Sequence, residues 1–167
     1  MHLQGSLLSR RSFMGGMSAA GAAPFLPGCR SVCAGKGPCS KFGGVQVGVI
    51  TYSYRSMPDK SAEAVLAQVV GSGINSIELM GDVVEKYAGA SLEKVAELRK
   101  MYADAGVGIH IVKFGNIGDG NMTDGEIDYY FNVAKALGAR GITREISEDA
   151  AKRLGPFADK PPVMIGF

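Results

Sequence analysis

The sequence predicts an α/β fold, a partial (β/α)8 TIM barrel, on three observations. Short β-branched runs alternate with longer segments of helical apolar spacing, the order that parallel strands joined by right-handed crossovers require. A helix end, a Gly and a strand recur as Gly73-Ile-Asn-Ser-Ile-Glu78, Gly106-Val-Gly-Ile-His110 and Gly138-Ala-Arg-Gly-Ile-Thr143, at intervals of 33 and 32 residues, one βα unit each. No Gly-rich phosphate loop follows the first strand. The bulky Thr51-Tyr-Ser-Tyr-Arg55 stands there instead and argues against an open dinucleotide-binding sheet.

Each element has its own signal. Val45–Thr51 is a β-branched run, long enough for a strand and too short for a helix. Pro58-Asp-Lys-Ser61 marks a helix start, Ala64, Val65, Leu66, Val69 and Val70 follow at helical spacing, and Gly71 and Gly73 end it. Ile74–Met80 reads as the second strand, with a short helix at Asp82–Tyr87 after it. A full helix from Ser91 carries Leu92, Val95, Leu98, Met101 and Tyr102 and stops at Gly106; Val107–Phe114 is the third strand. Thr123-Asp-Gly-Glu126 is a capping box that opens a helix with Ile127, Tyr130, Phe131, Ala134 and Leu137 inward. Gly141–Ile146 is the fourth strand, Ser147 caps a helix with Ala151, Leu154 and Phe157 inward, and Val163–Phe167 opens a fifth strand. That makes about four and a half βα units, where a closed barrel takes about 250 residues. The expectation is therefore the N-terminal half of a barrel over residues 45–167.

The first residues read differently. Ser9-Arg10-Arg11-Ser-Phe-Met14 is a twin-arginine pattern, and the small, weakly apolar run to Leu26 is too short to span a bilayer, which takes about 20 residues. Residues 1–28 are expected to be a signal for the twin-arginine export machinery, with Arg10 and Arg11 its mark. Leu26-Pro-Gly-Cys29 resembles a lipobox, which makes Cys29 a candidate lipidation site; cleavage after Ala23 is the alternative. Residues 29–44 are a linker and a possible lipid tether. Its three cysteines, at 29, 33 and 39, lack the His or fourth Cys of a metal site. With Cys29 lipidated, Cys33 and Cys39 remain for a disulfide in an oxidising compartment; incidental thiols are the other reading. The expected location is the periplasm or a membrane-tethered lipoprotein, with membrane contact only through signal or lipid. The net charge of +2 and the absence of a basic stripe exclude nucleic acid as an expected partner.

Chemistry in such barrels sits where strands end and loops to helices begin. Those positions hold Tyr52, Ser53, Tyr54 and Arg55; Glu78 and the Gly81-Asp82 turn; His110, Lys113 and Asn116; and Arg144 and Glu145. Glu145 ends an otherwise apolar strand, where a carboxylate can bind a divalent metal or move a proton, or can pair with Arg144. Lys113 stands in an apolar frame, suited to a sugar hydroxyl, a carboxylate or a phosphate, or to an ion pair with Glu78 or Glu145. The catalytic candidates are thus Glu145 and Lys113, and the substrate-binding candidates Tyr52, Tyr54, Arg55, Glu78 and Asn116. His110 lies mid-strand and reads as a satisfied or outward histidine. No P-loop, nucleophile elbow or His/Glu metal cluster is complete.

Val47-Gly-Val-Ile-Thr-Tyr-Ser-Tyr-Arg-Ser-Met57, Ser76-Ile-Glu-Leu-Met-Gly81, Ile111-Val-Lys-Phe114 and Gly138-Ala-Arg-Gly-Ile-Thr-Arg-Glu145 resemble the exported sugar phosphate isomerase/epimerase proteins of the xylose-isomerase-like barrel superfamily. The resemblance runs from Val45 to the last residue, and a twin-arginine leader is usual in that branch. It implies a divalent metal (Mn, Mg or Zn) and a small sugar or polyol as partner. It also implies proton transfer next to a carbonyl, with the metal stabilising the developing oxyanion and carboxylates moving the proton. Glu145 matches an acidic position of the family's fourth strand and is the candidate metal ligand here; the resemblance places the other ligands past residue 167. Two alternatives stand beside an isomerase or epimerase: an exported carbohydrate-binding barrel without catalysis, and a non-functional gene fragment.

Overall fold

The computed structural model describes residues 37–81, 91–144, 147–160 and 163–166. Arg10, Arg11, Cys29, Glu145 and the helix expected at Asp82–Tyr87 lie outside them.

The chain enters through a small hairpin, β1 (Lys41–Phe42) and β2 (Val45–Gln46), paired antiparallel. The sequence pattern reads Ser40–Gly44 as linker and Val45–Thr51 as one strand; the structure differs. Gly43 and Gly44 take φ of 55° and 86°, the left-handed pair that turns a two-residue hairpin, so Val45 and Gln46 are drawn back onto Lys41 and Phe42. The run resumes as β3 (Val49–Ile50), the edge of the main sheet, and then tightens into a 3-10 turn at Thr51–Tyr54. Gly48 lies between the two strands, where an added Cβ would stand 3.0 Å from the Ser76 carbonyl oxygen. The hairpin is held to the sheet by Ser40, which is fully buried. Its hydroxyl donates to the Val47 carbonyl at 2.6 Å and receives the Asn75 N–H at 3.1 Å. Cys39, just before it, is disulfide-bonded.

Beyond the hairpin the expected alternation appears: α1 (Ala62–Gly71), β4 (Ser76–Met80), α2 (Leu92–Asp104), β5 (Gly108–Lys113), α3 (Asp124–Leu137), β6 (Gly141–Thr143), α4 (Glu148–Ala158) and β7 (Met164–Gly166). Among the described residues β3 to β7 form one sheet in chain order, every pair parallel. The three repeated glycines explain the regularity. Gly73, Gly106 and Gly138 have φ of 73°, 78° and 76°, the left-handed turn that ends a helix and aims the chain into the next strand. A side chain there would cost about 1–2 kcal/mol.

One face of the sheet meets the helices. Ile77, Leu79, Ile109, Val112 and Ile142 are buried there against Val65, Val69, Val95, Leu98, Ile127, Phe131 and Leu154. Val70 and Leu92, which share the helical spacing of the apolar runs, are exposed: Val70 at the margin of its helix's buried stripe and Leu92 at the first position of its helix. The other face carries Glu78, Met80, Ile111, Lys113, Thr143 and Met164. The first five are half-buried and Met164 is 68% exposed, so this face is mixed in polarity and only partly covered.

The capping box forms as the sequence predicts. The Thr123 hydroxyl accepts the Glu126 N–H, and the Glu126 carboxylate accepts the Thr123 N–H at 2.7 Å. The Thr123 backbone N–H, and then its hydroxyl, hold the Glu126 carboxyl below the usual carboxylate range. A carboxyl whose folded pKa is lowered contributes stability above its unfolded pKa, and the contribution fades as pH falls through the folded value. Glu126→Gln should therefore lower the melting temperature at neutral pH and make little difference in acid. A thermal melt series of both proteins from neutrality to below the carboxylate range checks it; equal gaps at every pH would contradict it.

Candidate functional site

The strands run parallel, so their C-terminal ends meet at one rim. In register across that rim stand Met80, Lys113, Thr143 and Gly166; one step below them stand Glu78, Ile111, Gly141 and Met164. The burial alternation puts these positions on the face turned away from the helices. Glu78 reaches across β5 and accepts a hydrogen bond from the Thr143 hydroxyl. The carboxylate so held spans the strand on which Lys113 is the register partner of Thr143. Two of the predicted site residues, Glu78 and Lys113, are thus brought together. Thr143 completes the group and was not singled out in the sequence, although it is the inward position of Gly141-Ile-Thr143.

The remaining candidates separate. Tyr52, Tyr54 and Arg55 leave β3 on the 3-10 turn and line a cavity of 210 Å3 with Lys60 and Met80. The Arg55 guanidinium lies over the Tyr52 ring, 4.7 Å from its centre, and donates to the Tyr52 carbonyl at 3.3 Å. Asn116 lies elsewhere, in a 480 Å3 cavity beside Met122, Tyr129 and Tyr130 at the start of α3. Arg144 is a loop tie: it donates to the Ile117 carbonyl and pairs with Asp119. A pairing of Arg144 with Glu145 lies outside the described residues.

His110 sits at an irregularity in β5. The register passes from Ile77 opposite Ile109 to Glu78 opposite Ile111, which leaves His110 as the extra residue of a bulge. Its half-buried ring leans over Gly108, toward the N-terminal ends of the strands, and lines a 440 Å3 hollow with Ser76 and Gln46. It takes no part in the Glu78–Lys113 group.

The residues needed to hold a divalent metal are not assembled among the described residues. No three His, Cys, Asp or Glu side chains come together there, and the Thr143 hydroxyl already occupies one oxygen of Glu78, the face's carboxylate. No described helix is long and apolar enough to cross a membrane.

Comparison with known proteins bears on the fold. No family model matches the chain, and no curated protein does. Solved structures do. A probable 3-DHS dehydratase of petrobactin synthesis from Bacillus anthracis matches with a TM-score of 0.53 at 13% identity, over 72% of this chain and 51% of that one. A xylose isomerase domain protein from Alicyclobacillus acidocaldarius matches with a TM-score of 0.54 at 13% identity, over 72% and 48%. The fold is a partial (β/α)8 barrel. A D-psicose 3-epimerase, solved in the presence of D-fructose, matches with a TM-score of 0.50 at 14% identity, over 72% and 51%. The chain spans about half the length of each of these structures.

Proposed function

We propose that this half-barrel handles a small sugar or keto-sugar at the strand-end rim and moves a proton next to its carbonyl, as an isomerase or epimerase does. The observation that carries the reading is the Glu78–Thr143 hydrogen bond laid across the strand of Lys113. Donation from Thr143 fixes the direction of Glu78, which suits a carboxylate that takes a proton from carbon. The Lys113 ammonium, from the adjacent strand on the same face, suits the oxygen on which negative charge grows. Glu145, two residues past Thr143, keeps its place as a second proton carrier and as the candidate ligand for a divalent ion, on the sequence alone. The fold of the xylose isomerase domain protein and of the D-psicose 3-epimerase supports the substrate class; the likeness at 13–14% identity is one of fold. The proposed setting is outside the cytoplasm, which the Arg10-Arg11 pattern and the disulfide at Cys39 support.

Solvent exchange tests the chemistry directly. The full chain, with and without manganese, is incubated in heavy water with fructose and with a keto-glycoside, and the sugars are read by proton NMR. Loss of the signal from the hydrogen on the carbon beside the carbonyl is expected. Binding without exchange would leave a carbohydrate-binding barrel, and neither binding nor exchange would overturn the sugar reading.

A further inference from the structure

We infer that the cavity after β3 is an anion subsite, in which Arg55 and Lys60 grip a phosphate or carboxylate carried by the sugar. The inference rests on the proposed sugar reading for what carries the anion. Two cations line this 210 Å3 cavity, and no carboxylate among the described residues lines it with them. The nearest in sequence, Asp59, accepts the Ser61 N–H at 2.8 Å and is not part of the lining. The contacts of Arg55, a ring face and a carbonyl, set the guanidinium in place without neutralising it. Its planar fork keeps donors to spare for a two-oxygen partner. Lys60 adds a second positive charge from the turn that leads into α1.

The position suits a substrate that also reaches the rim. Met80 lines the cavity, is the register partner of Lys113, and stands one inward step beyond Glu78. Strands lie about 4.8 Å apart, so β3 and β5 are about 10 Å apart. An anion held after β3 thus leaves the body of a short sugar chain over β4 and its carbonyl near Lys113. The tyrosines supply the apolar sides: Tyr52 is 52% exposed, and Tyr54 is half-buried against the core.

The test is a titration of the full chain, labelled for NMR, at low salt. Inorganic phosphate and acetate are the bare-anion probes; fructose, its phosphate monoester and fructuronate are the sugar probes. Saturable shifts of the Arg55 side-chain signal with a bare anion are expected, with at least one charged sugar binding about tenfold or more tighter than fructose. A preference for the ester assigns phosphate, and a preference for fructuronate assigns carboxylate. In the double variant Arg55→Gln, Lys60→Gln, its fold checked by circular dichroism, the charged-to-neutral affinity ratio should fall toward one. Equal affinities in the native chain, or a ratio that survives the double variant, would overturn the subsite. Fructose exchange without any anion preference would sink the subsite and leave the sugar reading. Anion binding at Arg55 without any sugar binding would do the reverse.

Discussion

Phe131→Ala is expected to remove about 3–5 kcal/mol of folding stability, the range for truncating a buried aromatic whose cavity does not collapse. Phe131 is 1% exposed on α3, and its ring stacks on Phe157 of α4 with centroids 6.5 Å apart. Both rings belong to the core where the two helices pack on each other, so the lost ring leaves a void between them. A domain's whole stability is only about 5–15 kcal/mol, so this substitution brings the fold to the edge of unfolding. Urea melts of the two proteins measure it, and the melting temperature should fall by about 10 °C or more. A shift under about 1 kcal/mol would mean that α3 is not seated on α4 as described.

Glu78→Gln should slow the proposed proton transfer by about 100- to 10,000-fold, the usual worth of a positioned general base. The amide matches the carboxylate in size, and its oxygen can still accept from Thr143. The loss should therefore appear in kcat with KM little changed, and the melting temperature should hold. Thr143→Val separates positioning from chemistry. It removes the donor that aims Glu78 and should cost about tenfold, less than loss of the base itself. The exchange assay in heavy water reads both variants. If Glu78→Gln exchanges at the native rate, Glu78 is a wall of the site and the base lies elsewhere.

The fold was legible because its signals are local. The left-handed turns at Gly73, Gly106 and Gly138 are properties of a helix end, and only glycine adopts them at no steric cost, so their spacing shows the βα period directly. The Thr123–Glu126 box likewise joins residues three apart. The hairpin was misread because β-branched runs look alike in either sheet. Two consecutive glycines at 43 and 44 were the available signal for a tight turn. The candidate site was only partly legible. Glu78 and Lys113 stand out as charges in apolar strands. Thr143 is an ordinary strand residue until a chain separation of 65 residues is closed, and Lys60 reads as part of a helix start until the 3-10 turn folds Arg55 beside it.

By itself the sequence determined the order of strands and helices, their period, the helix caps and the rim on which polar residues gather, because each depends on backbone preferences within a few residues. Only the tertiary structure decided which of those polar residues meet. The parallel register joins Glu78 to Thr143 across Lys113 and sets His110 aside on a bulge. It leaves Asn116 in a cavity of its own and gathers Arg55 and Lys60 around the space after β3. Those encounters depend on strands laid side by side from distant parts of the chain, and no local pattern encodes them.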